Sequence, residues 1–393
     1  MKNTNTSSEF YTFIRDESRN RLPENLISTP ELLAEFNYPE EIKMKNEALK
    51  KYFSYMKFHG NLENIVESPL PRKYRTTTKK RLFYNEKKYF LSTGYNQPEK
   101  SMLDPEYHSI IYKTITQFMN RERSKSYLKH INFVIIRGSY QKFTLIFNID
   151  VFNAELINKF KHLSDQVLAA CKEISSIYLF LGEKDSKYYN EFADENFLKL
   201  KKLYGSKKIT IPLNSRFFSF YPDSFSQINL SIVPAMIQKI GDNLVIGKDC
   251  SLIDLYCGYG LFSLSFIDKY KSVIGIEVNR SSIKSAVENI TGNTNVRFLC
   301  DSITVKSIAN LPDTRSKEIF IIDPPRNGTL PGVIENITER RPEQIVHIFC
   351  NIDNIPSELA RWQHNGYVPR RIIPLDMFPG TPEIETMIFF GRK

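Results

Sequence analysis

Cysteine is sparse in this chain: five residues in 393, with no C-x-x-C pair. An odd, dispersed set excludes a disulfide scaffold, and the missing C-x-x-C removes the usual zinc and iron–sulfur frameworks, so no metal is expected. Tryptophan is almost absent, with Trp362 the one residue of its kind. No run of about 18 apolar residues occurs, so neither a membrane-spanning helix nor a membrane partner is expected. The opening residues, MKNTNTSSEF, hold no apolar core of a secretory leader, and a cytoplasmic location is the expectation. No internal repeat and no low-complexity tract stands out, and nothing points to a protein partner.

What is present is large and basic. A chain of this length exceeds one ordinary core, so two or three domains are expected. Hydrophobic residues make up 41%, with 28 Phe and 21 Tyr, which fits a globular protein with rings for burial or stacking. The net charge of +10 suits an anionic partner such as nucleic acid, and equally a lysine-rich solvated surface.

Periodicity divides the chain. Residues 1–60 read as helical, with Ile42, Ala48, Leu49, Tyr52, Phe53 and Met56 near helical spacing. Residues 61–213 read as α+β. KRLFYNEKKYFLSTGY has a hairpin pattern turning at Asn85. INFVIIRGSYQKFTLIFNID reads as two strands joined at Arg137-Gly138-Ser139, and a helix follows with Leu156, Phe160, Leu163, Val167, Leu168 and Cys171 inward. From about residue 248 strands and helices alternate regularly. That pattern means a doubly wound α/β sheet with a crevice at the carboxyl ends of its strands.

The first strand of this region runs into IDLYCGYGLFS. Gly258 and Gly260 permit a tight turn and close backbone approach to a ligand, and Ser263 stands at the third glycine of a G-x-G-x-x-G pattern. Glu277 ends the second strand, suited to a ribose diol. Two ligands compete: a dinucleotide and S-adenosylmethionine. Asp254, just before the turn, would repel a pyrophosphate but suit a cationic ammonium and sulfonium, whereas a lone Asp there is also a common capping residue. Asp301 and Asp323 end the next two strands at the same edge.

Strand four ends IIDPPRNG, a rigid proline loop, and strand five ends at Cys350. A helix starting near Asn354 would place a positive helix end near Cys350 and favour its thiolate. Glu383 and Glu385 lie two apart, so both are expected on one strand face, where like-charge repulsion would raise one carboxyl pKa. A thiolate, a separate carboxylate base and a methyl donor suit one reaction. Thiolate addition to carbon 6 of a pyrimidine makes carbon 5 nucleophilic, and a base then removes the carbon-5 proton.

DLYCGYGLFS, IGIEVN, DPPRNG, FCN and DMFPGTPEIET, in that order, together with FSFYPDSFSQIN upstream, resemble the RNA (uracil-5)-methyltransferases. The resemblance covers residues 214–393, with a further match at SPLPRKYR. It implies a Rossmann-like class I S-adenosylmethionine-dependent methyltransferase domain behind an N-terminal α+β RNA-binding domain. It implies Cys350 as nucleophile and Glu385 as proton acceptor. It assigns Gln227, Tyr256, Glu277 and Asp323 to S-adenosylmethionine, beside Gly258, Gly260 and Asp301 read from the turn and strand ends. This sequence departs from the family pattern at Leu261, where a polar residue is usual, at Phe349 and Ile352 around Cys350, and at Glu383, where His is usual. The β-barrel module and cysteine cluster of the ribosomal-RNA members are not seen, so tRNA is expected over rRNA as partner. The alternatives are an rRNA enzyme and an RNA-binding or RNA-folding protein with a decayed cofactor site.

RKYRTTTKKR supplies Arg72, Lys73, Arg75, Lys79, Lys80 and Arg81 as the expected RNA contacts, against the blander reading of a solvated strand face. RERSKSYLKH and KKLYGSKK are read as solvated surface. Cys171, Cys250, Cys257 and Cys300 are read as packing or strand-end residues, and His347 and Trp362 as core.

Overall fold

The computed structural model describes residues 9–18, 31–58, 60–85, 87–93, 101–121, 126–182, 200–214 and 216–393, so part of RERSKSYLKH lies outside the described residues. In chain order its helices are α1 (Glu9–Ser18), α2 (Tyr38–Tyr55), α3 (Glu106–Arg121), α4 (Ala154–Ala170), α5 (Val233–Asn243), α6 (Leu261–Ser265), α7 (Arg280–Glu288), α8 (Val305–Ala309), α9 (Val333–Glu339) and α10 (Ile355–His364). Its strands are β1 (Thr77–Tyr84), β2 (Tyr89–Ser92), β3 (Ile131–Gly138), β4 (Phe143–Ile149), β5 (Ile174–Leu181), β6 (Leu200–Gly205), β7 (Ile209–Leu213), β8 (Arg216–Phe220), β9 (Gly247–Leu255), β10 (Tyr270–Glu277), β11 (Val296–Cys300), β12 (Lys317–Ile322), β13 (Gln344–Phe349), β14 (Tyr367–Leu375) and β15 (Glu385–Arg392). The chain forms two compact units, one of Met1–Arg72, Ser231–Val278 and Ile290–Lys393, the other of Lys73–Leu230 and Asn279–Asn289.

The first unit holds a seven-stranded sheet ordered β11-β10-β9-β12-β13-β15-β14. β9 to β13 run parallel and β15 runs antiparallel between β13 and β14. The order reverses beside β9, which opens a crevice at the carboxyl ends of β9 and β12. The central strands are near-continuous apolar runs because both faces are covered: Ile319 to Ile322 of β12 and Ile345, Val346 and Ile348 of β13 are fully buried. The expected alternation is therefore present, but the helix after the first strand is only α6 followed by a short 3-10 turn, Ile267–Lys269.

α1 and α2, within the stretch of residues 1–60 read as helical, pack into the core of the first unit. Phe10 and Ile14 of α1 and Leu49, Tyr52 and Phe53 of α2 share one continuous core with Ile345, Trp362 and Ile388. The apolar stripe of α2 matches expectation, with Met56 only partly buried. The same helix also buries Glu41 and Lys45 completely. Lys45 Nζ donates to Asp376 Oδ1 at 2.6 Å and lies 2.8 Å from Glu41 Oε1. Glu41 also accepts from the Gly380 amide and from Arg72. Residues 61–66 run along β14, with Glu63 N–H donating to Ile372 O and Val66 N–H to Pro374 O, so the edge of the sheet is closed.

The second unit is a six-stranded sheet ordered β2-β1-β3-β4-β5-β6 with a separate β7–β8 hairpin. α3 and α4 supply Ile111, Ile115, Phe160 and Leu163 to its core, with Leu168 partly buried. The β1–β2 turn does form at Asn85, whose side chain accepts from Lys88 N–H. The β3–β4 turn lies at 139–142 instead of at Arg137. Arg137 is a buried strand residue whose guanidinium donates to Pro222 O, Ser224 O and Ser226 Oγ. A buried guanidinium needs several acceptors, and this one takes them from the 222–226 turn.

Lys45→Met removes one charge from a fully buried network and leaves Asp376 without its cation. We expect a loss of about 3–5 kcal/mol, read as a lower urea midpoint with an unchanged slope.

Candidate active site

β9 ends at Leu255, and the chain then turns through three left-handed residues, Tyr256 (φ 63°), Gly258 (φ 53°) and Gly260 (φ 85°). For Tyr256 this is a sparsely populated conformation, of the kind that marks functional turns. Glu277, at the end of β10, accepts from the Gly258 amide at 3.3 Å. A Cβ on Gly258 would meet nothing within 4 Å, so the turn faces open space.

Asp254 is fully buried in β9. Its Oδ2 accepts from the Ser263 amide at 2.9 Å and the Ser263 hydroxyl at 2.6 Å. Ser263 at the third glycine position thus makes the turn's strongest side-chain anchor, a partnership that spacing alone did not reveal. The capping reading of Asp254 holds for this oxygen. Its other oxygen, Oδ1, is buried without a hydrogen-bond partner among the described residues. Burial pushes the Asp254 carboxyl up to about 7, opposed by the Ser263 bonds and reinforced by Glu277.

Asp323 follows β12, and its amide donates to Leu255 O at 3.3 Å, which ties the two switch-point strands together. Burial first, then the charges of Asp254 and Glu277, raise its carboxyl pKa. Asp301 is exposed beyond β11, where its amide donates to Glu277 O and its side chain accepts from Ser302 N–H. Leu261 is buried at the start of α6. Gln227 is a buried residue of the second unit.

The β13–β15 register places the two residues expected to react, Cys350 and Glu385. Ile348 lies opposite Met387 and Phe349 opposite Thr386. Continuing that register puts Cys350 opposite Glu385. Glu385 is 2% exposed, and its Oε1 is buried without a hydrogen-bond partner among the described residues. Burial and then Asp323 raise its pKa well above the carboxylate range, with Arg326 opposing. Cys350 is half-buried, and its thiol donates to Pro324 O at 3.8 Å. Burial, Asp323 and Glu385 push the thiol up to about 12, again with Arg326 opposing. The expectation that a helix end would favour the thiolate is overturned. A 3-10 turn, Ile352–Asn354, separates Cys350 from α10, and desolvation beside carboxylates dominates.

Glu383 does not share a strand face with Glu385. It precedes β15 and takes the Arg326 guanidinium in a two-pronged ion pair. The raised pKa of Glu385 therefore owes nothing to Glu383; burial and Asp323 cause it.

The basic run splits in a way the sequence reading did not foresee. Arg72 belongs to the first unit and is committed internally, donating to Glu41 and to the carbonyls of Leu33, Ala34, Phe36 and Pro71. In the second unit Lys73 pairs with Glu106, and Arg75 lies 3.3 Å from Asp104. Lys80 points inward on β1 over the Tyr112 ring, while Lys79 and Arg81 share the other face over Phe133. Alternation along a strand divides any basic run between two faces. No group of three or more metal-ligating side chains occurs among the described residues, and no helix among them is long and apolar enough to cross a membrane.

A sheet in the relative order 3-2-1-4-5-7-6, with strand seven antiparallel and carboxylates at the switch point, defines a Rossmann-like class I methyltransferase fold. Residues 37–393 match the family described as tRNA (Uracil-5-)-methyltransferase, and the chain belongs to that family. An uncharacterized RNA methyltransferase of Enterococcus faecalis is 28% identical over 299 residues, covering 74% of this chain and 63% of the relative. The chain thus spans under two thirds of that relative's length. The 23S rRNA (uracil(1939)-C(5))-methyltransferase RlmD of Aliivibrio salmonicida is 25% identical, over 92% of this chain and 79% of the relative. Among solved structures, the Pyrococcus abyssi tRNA (uracil-54, C5)-methyltransferase in complex with S-adenosyl-L-homocysteine shares the fold, with TM-score 0.67 and 19% identity over 92% of this chain and 86% of that one.

Iodoacetamide should alkylate Cys350 slowly at neutral pH, the rate rising about tenfold per pH unit up to the thiol pKa. Asp323→Asn removes one of the charges that raise it and should speed alkylation at any fixed alkaline pH. Peptide mass spectrometry of the Cys350 fragment reads both.

Proposed function

We propose that this chain methylates carbon 5 of a uridine in RNA, with tRNA as the RNA and S-adenosylmethionine as the methyl donor. One observation carries the reading: the β13–β15 register sets Cys350 opposite a buried Glu385 at the crevice edge.

The residues present fit the cofactor. The unpartnered buried oxygen of Asp254, the Glu277 carboxylate and the open face of Gly258 form an acidic cradle beside a left-handed turn. Such a cradle suits a ligand with cationic groups and a ribose, and repels a pyrophosphate. When bound, S-adenosylmethionine supplies an electrophilic methyl group and positive charge. Glu277 would hold the ribose, Asp301 the adenine edge, and Asp254 with Asp323 the cationic end.

The chain's own residues handle the base. The Cys350 thiolate bonds to uracil carbon 6, and the electron pair moves to carbon 5, which becomes the methyl acceptor. Glu385 then takes the carbon-5 proton, the carbon 5–6 double bond re-forms and the thiolate leaves. Both groups are protonated at rest, because burial disfavours their charged forms. Positive charge in the crevice favours those charged forms and so prepares nucleophile and base together.

The RlmD likeness supports a second reading, the same chemistry on rRNA. Incubation with labelled S-adenosylmethionine and separate pools of unmodified tRNA and rRNA, then nucleoside analysis, tests both. We expect 5-methyluridine in the tRNA pool. Product in rRNA alone would favour the second reading, and product in neither would remove both. Cys350→Ala should abolish turnover, while Glu385→Gln should accumulate a methylated covalent adduct.

A further expectation concerns protons. Asp254 sits at about 7 and Asp323 is raised. Binding a cation lowers both, so S-adenosylmethionine should release protons near pH 7. Calorimetry in buffers of different ionisation enthalpy measures this. S-adenosylhomocysteine, which lacks the sulfonium charge, should release fewer.

A further inference from the structure

One face of α10 holds the loop that follows β12. Asn354, its N-cap, donates from Nδ2 to Arg326 O at 2.8 Å. Glu358 Oε1 accepts from the Thr329 amide at 2.7 Å. Arg361 donates to Thr329 Oγ1 at 3.4 Å and pairs two-pronged with Glu335. Positions 354, 358 and 361 are one helical stripe. The loop approaches so closely that a Cβ on Gly328 (φ 75°) would collide with Glu358 Oε1.

Beneath Glu358 lies His347, fully buried on β13 three residues before Cys350. Trp362 Nε1 donates to His347 Nδ1 at 3.1 Å. An indole nitrogen only donates, so His347 Nδ1 must accept and Nε2 must carry the proton. Nε2 stands 3.2 Å from Glu358 Oε2, and neither atom has a hydrogen-bond partner among the described residues. Burial, with Arg361 second, holds the His347 pKa at about 3, so the ring stays neutral.

Glu358 thus accepts from one N–H group at Oε1 and sets Oε2 within 3.2 Å of a second, His347 Nε2. A carboxyl group that only accepts fits there. An amide does not, since either orientation sets its NH₂ against the Thr329 amide or against His347 Nε2–H.

We propose that Glu358, seated on His347, is a positioning residue that fixes the Pro324–Thr329 loop and thereby holds Arg326 and the Pro324 carbonyl beside Cys350. The proposal rests on Cys350 being the nucleophile, but its readouts do not require methylation. The charged groups acting on Cys350 are Asp323 at the end of β12, Glu385 at the start of β15 and Arg326 in the loop. Of these Arg326 alone favours the thiolate, so a loosened loop makes Cys350 less reactive.

The test begins on the full wild-type chain. Nitrogen NMR should find His347 as the Nε2–H tautomer across neutral pH, and hydrogen exchange should find the Thr329 amide protected. In Glu358→Gln, Thr329 exchange should accelerate by about tenfold or more while β13 amides stay protected. Cys350 alkylation should slow several-fold, its pH profile moving upward. Asn354→Ala, at the partly exposed helix start, should slow alkylation in the same direction and keeps the test open should Glu358→Gln fail to fold. An Nδ1–H tautomer in the wild type would overturn the proposal. So would folded variants whose Thr329 exchange and Cys350 alkylation stay within about twofold of wild type. Loss of methylation with both loop readouts unchanged would overturn it while leaving the role of Cys350 standing.

Discussion

The ammonium of Lys45, fully buried between Glu41 and Asp376, is the contact on which the placement of Glu385 depends. It joins α2 to the segment between β14 and β15. The same Glu41 holds the Gly380 amide and Arg72, and Lys45 also donates to Phe378 O. That segment leads directly into Glu385. Charges removed from water cost several kcal/mol each and are tolerated only when each finds partners. The network meets that condition with two carboxylates, an ammonium, a guanidinium and backbone groups. A long loop is thereby held without a regular element of its own, and the first residue of β15 starts in a defined place.

The crevice is electrostatically opposite to the chain around it. The protein carries +10, yet Asp254, Glu277, Asp323 and Glu385 gather at one end of the sheet. The two scales serve different ends. A positive whole-chain field draws a polyanion at long range and weakens with salt. The local carboxylates act over a few ångströms. Burial first, and their mutual repulsion second, raise the pKa values of Asp254, Asp323 and Glu385, and protonation relieves that repulsion. Cationic charge would relieve it equally, which is why the site's acidity fits a cationic cofactor better than a phosphate.

Much of this was legible in the sequence. Alternating strands and helices after residue 248, the glycine turn and the strand-end acids all follow from short-range pattern, and the structure places them along one sheet edge, Asp254 set just inside it. What was not legible depends on partners distant in the chain. Glu41 and Lys45 look like ordinary solvated helix residues until Asp376, some 331 positions away, is brought to them. Arg72 looks like one more basic residue of an RNA-facing run until the carbonyls of residues 33–36 surround it. Glu383 and Glu385 look like a like-charged pair until the strand is seen to begin at the second of them. In each case the residue type is plain from the sequence and the side-chain direction is not, because direction is set by tertiary packing.

Cys350 shows the same limit from the other side. The helix following it suggested a stabilised thiolate, a local argument from sequence order. Burial and two neighbouring carboxyl groups outweigh that effect, since a helix-end interaction is worth about 0.3–1 kcal/mol at an exposed site while desolvation can move a pKa by several units. For the nucleophile we propose, being kept protonated is not a defect. A low-pKa, accessible thiolate is also the form most open to oxidation and to stray electrophiles. Holding Cys350 and Glu385 both neutral until positive charge enters the crevice would tie the proposed nucleophile, the proposed base and the methyl donor to one event, and leave the thiol quiet otherwise.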